Sequence, residues 1–216
     1  MKYLWEIAII ITILFVSILL INKYQYKLYC NKDTIELQKY HIKDIEYNNI
    51  EKTISICYDI SKYEAHYYAI IYKDFADKYN IPWEVYPAVI RIESNFNSSA
   101  ISSKGAKGIA QVVESTGKNI ADSLGIEFNG ITLWNTVLCQ IIGFTYLSEM
   151  IKQYGMDNGI KAYVGGPSKI NSQAANDYKG SVMKEVNMLI KKSNQINKET
   201  NILTYVYKGV QTENKK

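Results

Sequence analysis

Apolar positions follow two regimes along this chain. Leu4 to Ile21 is one continuous apolar run whose single charge is Glu6. Wound as a helix it is about 27 Å long, close to the hydrocarbon thickness of a bilayer. A cleaved signal peptide is the competing reading. Such peptides carry a shorter apolar region and a small-x-small cleavage site, whereas this chain continues Asn22-Lys23-Tyr24. Residues 1–22 are therefore expected to form an uncleaved transmembrane signal-anchor helix. Its flanking charges, Lys2 on one side and Lys23 and Lys27 on the other, lean weakly toward placing the downstream chain inside. Cys30 follows Tyr29, not the small residue that a lipid-anchor cysteine needs.

After the run, the pattern changes to helical spacing. Residues 23–63 are polar, rich in Tyr and Lys and without Pro or Gly, and read as a stalk containing one irregular helix. From Tyr63 the pattern tightens: Tyr67, Ile70, Ile71, Asp74, Phe75 and Lys78 recur at helical intervals until Asn80-Ile81-Pro82. Further helices are expected over Trp83 to Glu93, Thr116 to Leu124 closed by Gly125, Leu133 to Tyr154 closed by Gly155, Asp157 to Tyr163, and Ser172 to Lys192. A Ser/Gly-rich loop spans Ser94 to Gly108. No period-two strand pattern is present, so the fold class is mainly α. Residues 193–216 read as a polar, Lys-rich, solvated tail.

Composition narrows the function. The chain has 216 residues, 47% of them hydrophobic and 21% charged, which fits one folded domain with appendages. A net charge of +4 and a single arginine, Arg91, argue against nucleic acid as a partner. Three cysteines make no disulfide framework. His41 and His66 stand in no ligand spacing and no Cys-x-x-Cys occurs, so neither a metal nor another cofactor is expected. Cys139, in an apolar helix, reads as core.

One residue stands out chemically. Tyr86, Val89, Ile90 and Glu93 fall at i, i+3, i+4 and i+7, one helical face whose first three members are apolar. If that face meets the core, Glu93 is desolvated, and desolvation favours the protonated carboxyl that general acid catalysis uses. If the helix end turns outward instead, Glu93 is an ordinary solvated glutamate. Pro87 is expected to bend this helix near its start. Gly105-Ala106-Lys107-Gly108 allows a close backbone approach, Gln111 follows with an amide that both donates and accepts, and Ala162 to Pro167 makes a second Gly-rich turn carrying Tyr163.

Glu93-Ser94-Asn95-Phe96-Asn97, followed by Ala100, Ser102, Gly105-Ala106, Gly108 and Gln111, resembles the first two motifs of the soluble-type lytic transglycosylases. Ala162-Tyr163 through Gly166-Pro167 resembles their third motif. Gly143, Tyr146 and Leu147 fit the intervening helix, and Tyr178 fits the tyrosine of the final one. The resemblance covers about residues 64–192. It implies a lysozyme-like multi-helix domain that cleaves peptidoglycan between N-acetylmuramic acid (MurNAc) and N-acetylglucosamine (GlcNAc). Glu93 would be the sole catalytic acid/base. Ser94 and Gln111 would orient Glu93 and the sugar, and Tyr163, Tyr178, Gly108 and Gly166 would contribute to substrate binding. Because peptidoglycan lies outside the cytoplasmic membrane, the resemblance also implies an amino terminus inside and a catalytic domain on the cell-wall side, against the weak flanking-charge signal. Three positions depart from the family pattern: Val164 where Asn is usual, Ala110 where Met is usual, and Cys139 where Asn is common. Two alternatives remain open at this stage. One is a hydrolytic goose-type lysozyme, which needs a second carboxylate such as Asp122 or Glu127. The other is a non-catalytic glycan-binding scaffold among the partner proteins of an envelope-spanning machine.

Overall fold

The computed structural model describes residues 44–213, with side chains through 199. The 1–22 anchor expectation and the first half of the 23–63 stalk lie outside the described residues. Among those described, the protein is helical, apart from two isolated β-bridges in one loop. A helix over 44–58 (α1) leads into α2 (Lys62–Tyr79), α3 (Val85–Ser94), α4 (Glu114–Leu124), a 3-10 turn at Thr132–Trp134, α5 (Thr136–Tyr154), α6 (Met156–Gly165), a second 3-10 turn at Pro167–Lys169, and α7 (Gln173–Glu213). No helix of the described residues is long and apolar enough to cross a membrane.

Local chemistry sets the boundaries. The Ser61 hydroxyl accepts the Glu64 N–H and caps α2, while Asn80, at φ 53°, closes it in the left-handed conformation. Asn95 closes α3 in the same way, and the Asn135 side chain accepts the N–H groups of Val137 and Leu138 to start α5. α3 begins at Val85, so Pro87 lies in its first turn, where the missing N–H has no helical acceptor to lose. The disturbance expected around Trp83 is instead a tight turn ahead of the helix, with Val85 N–H on Pro82 O and Tyr86 N–H on Trp83 O.

Burial fixes how α3 sits. Tyr86 packs against Phe144 of α5 at 4.8 Å and Phe75 of α2 at 5.7 Å between ring centroids, and its hydroxyl lies 3.1 Å from the Ser148 hydroxyl. Tyr72 meets Phe144 edge-on at 5.7 Å. Such aromatic pairs contribute about 0.5–1.5 kcal/mol each beyond the area they bury. In α2 the packed face is Ala65, Tyr68, Ala69, Tyr72 and Phe75, while Tyr67 and Ile70 are exposed. The face is thus turned by one position from the sequence expectation, because Tyr68 and Tyr72 carry the rings that stack inward.

Two expected boundaries differ from the structure. Ile50 and Ile54 of α1 are buried in the same core as Tyr86 and Phe144, so the expected stalk over 23–63 ends in a packed helix. The four-residue spacing of the two isoleucines puts them on one helical face. The last helix likewise runs past Lys192: Ser193 and Ile196 are buried, and Asn49 of α1 donates to the Ser193 hydroxyl at 3.0 Å. The expected solvated tail therefore begins as a packed continuation of α7.

Candidate active site

Glu93 is the last acidic residue of α3, one position before its end. The three apolar members of its face, Tyr86, Val89 and Ile90, are fully buried, so the helix has no freedom to turn Glu93 outward. Its carboxyl enters a cleft of about 460 Å³. Burial pushes the Glu93 carboxyl up to about 7, and a hydrogen bond from Tyr178 partly opposes that rise. Tyr178, early in α7, donates to Glu93 Oε1 at 2.5 Å. Burial and the neighbouring carboxylate in turn hold the Tyr178 hydroxyl far above its ordinary range, so it remains a donor.

The loop between α3 and α4 forms one side of the cleft. Ser102 N–H bonds to Ala106 O, Gly108 N–H to Ala100 O, and Lys107 and Val112 exchange two backbone bonds. The Gln111 amide donates to Ala100 O at 3.0 Å and to Gly108 O at 2.9 Å, so its nitrogen holds the loop while the residue lines the cleft. The Ser94 hydroxyl donates to Ile109 O at 2.6 Å. That bond anchors the loop to α3, and the structure gives Ser94 no hydrogen bond to Glu93, the contact its expected orienting role would need.

Gly108 also differs from its expected place. It has φ +73°, and a Cβ there would lie 2.0 Å from Leu133 O and 2.8 Å from Cys139 Sγ. The close approach this glycine permits is to the 3-10 turn before α5, inside the protein. Gly166, at φ +77° with open space around it, lines the cleft.

The α6 side supplies Tyr163, which lines the cleft and whose hydroxyl donates to the buried Ala110 O at 2.7 Å. Gly143 of α5 makes room for it, because a Cβ at 143 would lie 2.9 Å from the Tyr163 oxygen and 2.7 Å from the Ala110 Cβ. The Tyr146 ring lies tilted against Tyr163, 5.7 Å between centroids, and lines the same cleft. Val164, nearly half exposed, puts an apolar side chain on the wall. Cys139 is buried with its thiol directed at Lys107 O.

The structure thus brings Glu93, Gln111, Tyr163 and Gly166 to one cleft, with Tyr178 bonded to Glu93, and assigns Ser94 and Gly108 to the loop's internal bracing. Sequence reasoning did not mark Lys104 and Lys169, which also line the cleft. Each sits within two or three residues of a Gly-rich turn, and that adjacency was the available signal. Asp122 and Glu127 are exposed and do not line it.

A family model described as the Transglycosylase SLT domain matches residues 71–186, just over half of the chain. Two solved structures are similar. The 70 kDa soluble lytic transglycosylase Slt70 of Escherichia coli has a TM-score of 0.50 at 20% identity, with 71% of this chain and 29% of that one covered. The lytic transglycosylase Slt of Pseudomonas aeruginosa, as an inactive mutant, has a TM-score of 0.49 at 19% identity, with 58% and 24% covered. This chain spans less than a third of the length of either. The Escherichia coli structure gives the fold, the family model adds the matched motifs from α2 into α7, and the chain belongs to the Transglycosylase SLT domain family.

Proposed function

We propose that this chain is a membrane-anchored peptidoglycan lytic transglycosylase, cleaving the MurNAc–GlcNAc β-1,4 bond and leaving a 1,6-anhydro-MurNAc end. The observation that carries the reading is Glu93: a carboxyl in a cleft, held near neutrality by burial and gripped by Tyr178.

The chemistry follows from that one group. Protonated Glu93 gives its proton to the glycosidic oxygen as the C1–O bond breaks, and the bonding electron pair stays with that oxygen, so GlcNAc leaves with a 4-hydroxyl. Positive charge develops at C1 of MurNAc. Glu93, now a carboxylate steadied by the Tyr178 hydroxyl, takes the proton from the sugar's own C6 hydroxyl, and O6 closes onto C1. Glu93 returns to its protonated form and no water is consumed. A pKa near working pH suits a group that must serve first as acid and then as base. Tyr163 and Gln111 shape the floor against which the sugar packs.

A hydrolytic, goose-type reaction needs a second carboxylate to activate water. Glu93 is the sole carboxyl among the described lining residues, and Lys104 and Lys169 are the other ionisable groups with a full charge there. That balance favours the anhydro route over the hydrolytic one.

The anchor reading rests on the Leu4–Ile21 run, and the wall-side placement rests on where the substrate lies. Mass spectrometry of digested muropeptides tests the reaction. Anhydro ends, lighter by one water than reducing ends, are expected from the wild type, and Glu93→Gln is expected to yield none. Reducing ends overturn the lytic assignment, and undiminished cleavage by E93Q removes Glu93 from it. Protease accessibility of the domain in intact spheroplasts tests the placement.

A further inference from the structure

The charge balance of the cleft supports an inference that rests on the proposed reaction and narrows its substrate. Lys104 and Lys169 both line the cleft and both are exposed. They come from separate segments: Lys104 from the braced loop between α3 and α4, Lys169 from the 3-10 turn after α6. Their neighbours are neutralised by carboxylates, Lys107 by Glu114 at 2.8 Å and Lys179 by Asp157 at 2.9 Å. Lys104 and Lys169 form no ion pair among the described residues. The fold also makes room for one of them. A Cβ at Gly165 would lie 3.1 Å from the Lys169 Cβ and 3.5 Å from its Cδ, so the bare backbone at 165 is what the lysine stem lies against.

Two cations with no ion-pair partner among the described residues, in a cleft whose one lining carboxyl is Glu93, create a positive field over that cleft. We propose that Lys104 and Lys169 are specificity residues that select glycan strands bearing carboxylates on the O3 arm of MurNAc, the sugar whose C1 reacts. That arm offers carboxylates from two sources: the side-chain and terminal carboxylates of an attached stem peptide, or the lactyl carboxylate left when the peptide is absent. An exposed lysine–carboxylate pair contributes up to about a fivefold change in affinity, and salt weakens it.

The test uses the full chain in detergent and four strand preparations: stem-bearing and amidase-stripped, each with its carboxylates intact or amidated after amine acetylation. The double variant K104Q/K169Q is expected to raise KM on carboxylate-bearing strands by about 5–20-fold at low salt, with little change on amidated ones. The double variant K104R/K169R is expected to restore most of the loss. A larger effect on stem-bearing strands assigns the contact to the peptide, and a larger effect on stripped strands assigns it to the lactyl group. Equal losses on intact and amidated strands overturn the proposal. Dissociation constants for the same strands, measured with E93Q, separate the two readings. A charge preference without wild-type turnover supports the lysine assignment while the reaction fails alone. Turnover without any charge preference sinks the lysine assignment alone.

Discussion

The Tyr178 hydroxyl donates a hydrogen bond to Glu93 Oε1 at 2.5 Å, joining the end of α3 to the start of α7 across 85 residues. Two opposed influences meet on that carboxyl. Burial raises its pKa and the tyrosine lowers it, with the result at about 7. A hydrogen bond to the charged form favours that form, so Tyr178 keeps the carboxylate accessible after the first proton transfer. Without it, burial alone would leave an acid slow to become a base.

Tyr178→Phe removes the donor and keeps the ring. The remaining influence is burial, so the Glu93 pKa is expected to rise further. The acid form then persists to higher pH, and the alkaline limb of the pH–rate profile is expected to move upward while kcat falls, because the carboxylate of the second step has lost its stabilising contact. A profile of unchanged shape with lower amplitude would make Tyr178 a packing residue only.

Glu93 also ties folding stability to pH. Its pKa rises from 4.5 to about 7 on folding. The native state therefore binds the proton more tightly, and the associated stability is complete below pH 4.5 and is lost as pH rises through about 7. At 1.36 kcal/mol per pH unit the cost at pH 8 approaches about 3 kcal/mol. Glu93→Gln carries no charge to desolvate. In urea unfolding it is expected to be more stable than the wild type at pH 8, by up to that amount, and close to it at pH 4. Other groups titrate alike in both proteins and cancel from the difference. A gap independent of pH would mean that Glu93 ionises freely in the folded state.

Two glycines of the same loop are expected to respond very differently to alanine. Both have positive φ, +79° at Gly105 and +73° at Gly108. At Gly105 a Cβ meets nothing within 4 Å, so Gly105→Ala costs the left-handed strain alone, about 1–2 kcal/mol. At Gly108 the same atom falls 2.0 Å from the Leu133 carbonyl oxygen, a backbone atom that cannot swing aside. Gly108→Ala is expected to cost at least about 4 kcal/mol, among the larger single-site effects. Thermal unfolding of the two variants side by side measures the contrast, and similar losses would place Gly108 away from Leu133.

The face that carries Glu93 was legible because its cause is local. Tyr86, Val89 and Ile90 sit at helical intervals, and their burial, which the structure shows, follows from that spacing. The capping and stop signals at Asn80, Gly125 and Gly155 were local too. What spacing does not encode is the destination of a side chain that reaches another segment. Ser94 and Gly108 carry the right motif letters, yet one bonds Ile109 O and the other approaches Leu133 O, because the loop folds back over α3 and against the turn before α5. The packed ends were illegible for another reason. In residues 44–58 and around 193–196 the buried apolar positions, Ile50, Ile54 and Ile196, stand among polar residues, some exposed, such as Glu46, Asn48 and Lys52, and some themselves buried, such as Glu51, Thr53 and Ser193, so average polarity hides a one-sided helix.

Of the three departures from the family pattern, Val164 is the one that lines the cleft. It follows Tyr163 on α6, is nearly half exposed, and presents methyl groups where the lytic transglycosylases that the sequence resembles usually carry asparagine. An exposed valine contributes little to stability, so Val164→Asn is expected to change the unfolding free energy by less than about 0.5 kcal/mol. Its amide adds a donor and an acceptor at the wall. One neutral hydrogen bond to a sugar hydroxyl or acetamido group is worth about 0.5–1.5 kcal/mol, so KM for glycan strands is expected to fall about two- to tenfold. The gain belongs to binding that ground and transition states share, so kcat is expected to follow less than KM. Steady-state kinetics on purified strands measures the split. An unchanged or higher KM would mean that the valine methyls already pack against an apolar face of the sugar, and that this wall selects by shape.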